Sequence, residues 1–194
     1  PCAVTPWTVI EKWFLTKKWA PLPENDLLDI MNYAMKSCPI WIRLPRVVRD
    51  IPTEYIHAGN KIPNLRQHLV KSKEIRSREI ERNSSYYNLG SKIFVTQYSE
   101  SDFFISYESL DRQAIFGFLR LRLIKNNSNT EFKFLRRLAL IRELHVYGFN
   151  TEVGSHAKSA QHNGIGKKLL KKAEHIAFLN FWEGIAVISG EGVK

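Results

Sequence analysis

The segment Gln161-His162-Asn163-Gly164-Ile165-Gly166 sets two glycines two positions apart at the head of a run with helical periodicity. Residues of this kind can hold a pyrophosphate. A glycine-bearing turn at a helix start leaves backbone N–H groups unpaired and aims the positive end of the helix dipole at an anion. It also lacks the side chains that would keep a phosphate off the main chain. A nucleotide-like cofactor is the expected ligand. The spacing alone is a weak signal, since a chain with ten glycines will often place two of them so, and its neighbours must supply the specificity.

Those neighbours give the order strand, loop, helix, strand. Leu138–Val146 is rich in Leu, Ile and Val, yet carries Arg142, Glu143 and His145 where a purely structural buried strand would be apolar. Beyond the glycines, Ile165, Leu169, Leu170, Ala173, Ile176 and Ala177 recur at helical spacing, with Lys167, Lys168, Lys171, Lys172 and Glu174 on the other face. An ordinary amphipathic helix behind a loop would account for the spacing equally well. Ile185–Ile188 reads as a buried-type strand. Upstream, Lys92–Tyr98, Phe103–Tyr107 and Ile115–Leu123 also read as strands, with Lys125–Thr130 as a surface turn. About five strands and one long helix predict a mixed sheet in an α+β fold.

The first part of the chain predicts two helices. One starts at Thr5-Pro6 with Trp7, Ile10, Trp13 and Phe14 as its apolar face. The other is capped by Asn25 or Asp26, runs through Leu27, Leu28, Met31, Ala34 and Met35, and stops at Cys38-Pro39. Trp41–Leu44 then reads as a strand closed by Pro45. A connector dense in cations follows, from Arg43, Arg46 and Arg49 through Arg66, His68, Lys71, Lys73, Arg76, Arg78 and Arg82. Some of these could pair internally with Asp50, Glu74, Glu79 and Glu81.

The net charge is +10 over 194 residues. Residues 1–82 hold 14 Lys and Arg against 9 Asp and Glu, and residues 83–194 hold 15 against 10, so the excess is spread along the chain. A polyanion partner is expected, because neutralised phosphates release counterions. With 44% hydrophobic residues the chain can bury a substantial core. It has no apolar run long enough for a membrane span and no secretory leader, and starts without a methionine, as a piece of something longer would. Cys2 and Cys38 are its only cysteines, which fits a reducing compartment and gives no disulfide framework. Each reads as a buried small hydrophobe.

Gln161 to Gly166 resembles the Q/R-x-x-G-x-G/A signature of the GNAT acetyltransferases. More narrowly, RELHVYG, QHNGIGKKLL, AEHIA and AVISGEGVK, with TPWTVIEKW, WIRLPRVVRDIP, NLRQ, IRSRE, FFISYE and GFLRLRL upstream, are similar to the Elongator-type catalytic subunits. That family joins a radical-SAM barrel to a GNAT domain and modifies the wobble uridine of tRNA. The resemblance implies a fragment or truncated form with three parts: the C-terminal remnant of the barrel (1–58), a basic connector (59–90) and a GNAT domain lacking its C-terminus (91–194). It implies acetyl-CoA as cofactor. Backbone groups of Glu143, Leu144, His145 and Val146 would pair with the pantetheine arm, and Ala160, Gln161, His162, Gly164, Ile165 and Gly166 would surround the pyrophosphate, with Lys167 nearby. Glu143 or His145 would be the base, only one of the two aimed at the thioester. It implies tRNA as partner, bound through Lys71, Lys73, Arg76 and Arg78. Other Elongator subunits or self-association would follow, without a membrane, in the cytoplasm or nucleus.

The chain departs from the family at four places. Two cysteines 36 positions apart cannot hold the radical-SAM iron–sulfur cluster, so cluster and S-adenosylmethionine binding belong to the full-length family and not to this chain. Lys73 and Ser77 stand at the family's zinc-ligand cysteines, so no metal site is expected. Ala160 replaces an aromatic before Gln-His, and the tyrosine expected after Gly192-Val193-Lys194 as thiolate donor is missing. The alternatives are a stand-alone lysine acetyltransferase of histone type and an inactive tRNA-binding or assembly module.

Overall fold

The computed structural model describes residues 3–47, 51–80, 90–124, 131–147 and 164–187. The chain divides into two compact units, Pro1–Ser77 and Arg78–Lys194. No described helix is long and apolar enough to cross a membrane.

In the first unit, β1 (Ala3–Val4) pairs antiparallel with β2 (Ala58–Gly59). Helix α1 (Val9–Leu15) begins three residues later than Thr5-Pro6 suggests. Thr8 is its cap, its hydroxyl oxygen accepting the Glu11 N–H at 3.3 Å, while the Glu11 carboxylate accepts the Trp7 N–H at 2.7 Å. Trp7 has φ 59°, which no right-handed helix contains, and is 92% exposed rather than on an apolar helix face. Helix α2 (Glu24–Ser37) is preceded by Pro23 with no side-chain cap. Instead of capping, Asp26 joins Glu24 in the first turn, where acids complement the helix dipole. Leu27 and Met35 are its buried residues, and it ends at Cys38, before Pro39, as expected.

Trp41–Leu44 does not form the expected strand. Its backbone groups are taken elsewhere. The Leu44 N–H donates to the Glu74 carboxylate at 3.0 Å, and the Ile42 carbonyl accepts the Ile75 N–H at 2.8 Å. Glu74 is buried and also accepts the N–H groups of Arg76 (2.9 Å) and Ser77 (2.7 Å), the Ser77 hydroxyl (2.8 Å) and the Arg66 guanidinium. Burial pushes its carboxyl up, but those hydrogen bonds and the Arg66 charge outweigh burial and hold it below the usual range. Cys38 is free and only partly buried; burial first, then the Glu74 charge, raises its thiol pKa. The four-residue helix α3 (Ile75–Arg78) follows Glu74.

The second unit is a five-stranded sheet in the order β3 (Ser91–Gln97), β4 (Asp102–Ser109), β5 (Ile115–Leu123), β6 (Leu138–Val146), β7 (Gly184–Val187). The first four are antiparallel and β7 runs parallel to β6, so the sheet is mixed as expected. Helix α4 (Ile165–Leu179) links β6 to β7 and buries Ile165, Leu169, Ala173, Ile176 and Ala177 against one face. Ile105, Leu119, Leu121, Ala139 and Ile141 meet it from the sheet, and this is the core of the unit.

Candidate functional site

Strand β6 is paired along its whole length on one side and along half of it on the other. It faces β5 from Ala139 to Val146, but β7 only from Leu138 to Ile141. Beyond Ile141 its second edge has no strand partner among the described residues. On the β5 side the register of β6 shifts by one residue at a bulge, where Glu143 opposes Arg120 and Ile141 opposes Leu121, leaving Arg142 as the extra residue. A bulge bends its strand and increases the local twist.

The Tyr147 N–H donates to the Phe116 carbonyl on β5 at 2.8 Å. Alternation along the strand then turns the backbone groups of His145 and Glu143 toward β5 and those of Leu144 and Val146 toward the open edge. Of the four backbone positions expected to pair with a pantetheine arm, two therefore face away from the gap.

The open edge meets the start of α4. A Cβ at Gly166 would lie 3.7 Å from Cγ2 of Val146, and a Cβ at Gly117 on β5 would lie 3.3 Å from Cγ2 of Ile165 and only 2.9 Å from the His145 carbonyl oxygen. Gly117 thus lets the first residue of α4 settle on β5 and β6. Gly164 caps α4 at φ 66°, the left-handed region that glycine enters without strain. The N–H groups of Ile165, Gly166 and Lys167 precede the first bond of the helix, from Lys168 to the Gly164 carbonyl at 3.0 Å. No acid stands in this first turn, and Lys167 and Lys168 do, which is unfavourable at the positive end of a helix unless an anion is bound there. Lys168 lies over the Tyr107 ring at 5.3 Å.

Neither glycine is demanded by the described protein atoms. Among the described residues Gly164 would meet nothing within 4 Å, and the 3.7 Å at Gly166 is ordinary contact. Small residues at a helix start whose first N–H groups have no partner within the helix fit a phosphate that must approach the main chain. These residues suit the acetyl-CoA that the sequence resemblance implies. Ala160, Gln161 and His162 lie outside the described residues.

Glu143 and His145 stand on one face of the sheet, the face turned away from α4, and not on opposite faces. Glu143 opposes Arg120 and His145 opposes Phe118. The Arg120 Nε donates to the Glu143 carboxylate at 2.9 Å, and the His145 ring lies over Phe118 with centroids 6.0 Å apart and planes at 21°. They are two residues apart, so strand alternation puts them together. Tyr147 follows, its ring 4.4 Å from His145 and its hydroxyl donating to Glu79 at 2.8 Å.

Arg78 is not available to a nucleic acid. Its side chain is buried and its Nη1 lies 2.9 Å from the Glu108 carboxylate, which Arg112 also binds at 2.8 Å. Burial raises the Glu108 carboxyl pKa, but the bonds from Arg112, Ser106 and Arg78 outweigh it and hold the carboxyl low. Lys71, Lys73 and Arg76 are exposed in the first unit, with Arg76 donating to the Pro45 carbonyl. Arg66 is the internal partner of Glu74. No group of three or more potential metal ligands is found among the described residues.

A family model described as the radical-SAM C-terminal domain matches residues 1–75. The tRNA uridine(34) acetyltransferase of Methanocaldococcus jannaschii is 32% identical over 215 residues, taking in 100% of this chain and 39% of that protein. Elongator complex protein 3 of Schizosaccharomyces pombe is 30% identical over 210 residues, with the same shares of 100% and 39%. Among solved structures, the archaeal Methanocaldococcus infernus Elp3 with an N-terminal deletion superposes at TM-score 0.75 and 29% identity, covering 96% of this chain and 48% of that one.

Over its whole length the chain is similar to Elp3. It spans less than half the length of these relatives. The first unit of this Elp3-like chain ends at Ser77, two residues beyond the segment matched to the radical-SAM C-terminal domain. The sequence reading missed Gly117, Arg120 and the bulge at Arg142. Gly117 had a signal, since a glycine among the bulky residues of Ile115–Leu123 marks a close backbone approach. A one-residue bulge inside an unbroken apolar and polar run leaves no such mark.

Proposed function

We propose that the second unit binds acetyl-CoA between the open edge of β6 and the first turn of α4, and that this chain provides the acetyl-transfer part of a tRNA uridine(34) acetyltransferase. The observation that carries this reading is the convergence at Val146 and Gly166 of a strand edge without a strand partner among the described residues and a glycine-bearing helix start without a side-chain cap among them. The N–H groups of Ile165, Gly166 and Lys167 would hold the pyrophosphate, with Gln161 and His162 from the sequence just before them. Leu144 and Val146 would hydrogen-bond the pantetheine amides along the open edge.

When bound, acetyl-CoA supplies an activated acetyl thioester. The protein's part is to orient it and to move a proton. Glu143, fixed by Arg120, is the base in this reading, acting directly or through one water, and His145 is the neighbour that meets the acceptor. Lys71, Lys73 and Arg76 would hold tRNA phosphates from the first unit. The iron–sulfur cluster and S-adenosylmethionine chemistry is assigned to parts of the relatives that this chain does not span.

Calorimetric titration with acetyl-CoA, with and without tRNA, tests the reading. Binding by the wild type, lost in Gly164→Glu or Gly166→Glu while the fold persists, is the expected result. Unchanged binding in both variants overturns the cradle. Acetyl transfer to a basic peptide without tRNA would replace this reading by a protein lysine acetyltransferase. Salt-sensitive tRNA binding with no acetyl-CoA affinity would replace it by a binding module.

A further inference from the structure

The face of β5 and β6 turned away from α4 carries, beside Glu143 and His145, charged and aromatic groups to which the acetyl-transfer reading gives no part. At its head the bulge sets two consecutive residues, Arg142 and Glu143, on the same side of the sheet, which regular alternation would forbid. Glu143 is matched by Arg120. Arg142 is not matched in the same way. It approaches the Asp102 carboxylate at 3.8 Å, too far for a hydrogen bond, because Arg122 already holds both oxygens of that carboxylate at 2.7 and 3.2 Å. Two guanidinium groups share one carboxylate, and the side chains of Arg142 and Arg122 are 43% and 42% exposed. The local excess is positive, and Arg142 keeps its hydrogen-bond donors in water.

Across β4, β5 and β6 on the same face an aromatic row runs from buried to exposed. Phe104 and Phe118 are buried with centroids 5.5 Å apart, Arg120 lies over both rings at 5.6 and 5.4 Å, and His145 lies nearly parallel over Phe118. His145 is exposed, with the Tyr147 ring packed beside it at 4.4 Å. Arg142 and His145 are separated by about 10 Å at roughly 3.3 Å per residue, within reach of one short single-stranded segment.

We propose that this face is a single-stranded RNA surface, on which Arg142 with Arg122 takes a backbone phosphate and the His145 ring, backed by Phe118, takes an unpaired base. The inference rests on the reading of this unit as an acetyl-transfer domain acting on RNA, and adds where and how the acceptor strand is held. A guanidinium pair forks onto phosphate oxygens, and an exposed ring with a buried ring behind it is a rigid stacking platform. An acidic peptide would use the arginines and leave the ring unused, and a duplex offers no free base face. A single strand uses both.

The test is fluorescence anisotropy of the full chain with a labelled ten-residue oligouridylate across a salt series. Arg142→Gln is expected to weaken binding and to flatten the slope of log K against log salt by about 0.7, the amount for one phosphate contact on a single strand. Arg142→Lys is expected to restore the slope. His145→Ala is expected to lower affinity about 5-fold or more with the slope unchanged, as loss of one stacked base does. All three variants change exposed side chains, and thermal melts verify that each is folded. Wild-type affinity and slope in folded Arg142→Gln and His145→Ala would overturn the proposal. So would tight binding of oligoglutamate that depends on Arg142 but not on His145. Acetyl-CoA titration of the same proteins separates the two readings. RNA effects without any acetyl-CoA binding would remove the cofactor assignment alone, and the converse would remove only this surface.

Discussion

The carbonyl oxygen of His145 passes 2.9 Å from the point where Gly117 would carry a Cβ. Real Cβ atoms are not found so close to an oxygen, so a side chain at 117 must displace β6 or the start of α4. Gly117→Ala is therefore expected to destabilise the protein by about 1–3 kcal/mol, as overpacking of a filled site does. It is also expected to weaken acetyl-CoA binding, because Ile165 moves with the helix start. A thermal melt paired with an acetyl-CoA titration checks both. An unperturbed melting temperature would show that the close approach is not a constraint.

Gly166 offers a sharper separation of stability from binding. It lies in the first turn of α4 with room for a methyl group, so Gly166→Ala is expected to stabilise the helix by about 0.5–1 kcal/mol. The same methyl group would stand where the pyrophosphate approaches. A protein that melts higher and binds acetyl-CoA more weakly is the expected outcome, whereas higher stability with full affinity would place the phosphate elsewhere.

Glu108 is buried between Arg78 and Arg112. Glu108→Ala leaves the Arg78 guanidinium buried without its carboxylate, and a loss of about 3–5 kcal/mol is expected from denaturant unfolding. Arg112→Ala is expected to cost much less, since that side chain is partly exposed and water can replace it.

Acid is expected to unfold the protein through a few buried carboxylates. Glu74, Asp102 and Glu108 have folded-state pKa values below their ordinary ones. For Asp102, burial works upward and the bonds from Arg122 and Ser99 and the charges of Arg122 and Arg142 more than reverse it. A depressed pKa contributes stability that is complete above the ordinary value, 4.5 for the glutamates and 3.8 for Asp102. That contribution is lost as pH falls through the lower folded-state value. Stability measured against pH is expected to be flat with respect to these groups above about pH 5 and to fall below it. Replacing Glu108 by Gln is expected to shrink that fall.

The sheet and helix of the second unit were legible because their residues obey simple periods. Ile115–Leu123 and Leu138–Val146 are strands with the boundaries their alternation suggests, and the apolar stripe of α4 faces the sheet as its spacing requires. The first unit was read less well for a local reason. Trp41–Leu44 looks like a strand by composition, but the Glu74 carboxylate and the Ile75 N–H, thirty or more positions on, take backbone bonds a ladder would need. Thr8 rather than Thr5 caps α1 because a hydroxyl three residues before Glu11 completes the cap, which proline at position 6 does not reveal. At the candidate site, Arg78 looked like its basic neighbours, and only the fold supplies Glu108, thirty residues on, to bury it. Glu143 and His145 could be named from the strand, whereas Arg120 as the partner of Glu143 depends on a register displaced by one residue.

That displaced register carries a constraint on length rather than on identity. The described pairing of β6 with β7 ends at Ile141, and the extra residue comes next. Without any residue at 142, Glu143, Leu144 and His145 would keep their sides of the sheet and their partners on β5, but β6 would lose the bend and added twist that the bulge gives it. Deletion at this point is thus expected to redirect the strand in a way that no substitution would. Position 142 has to be occupied before it has to be arginine.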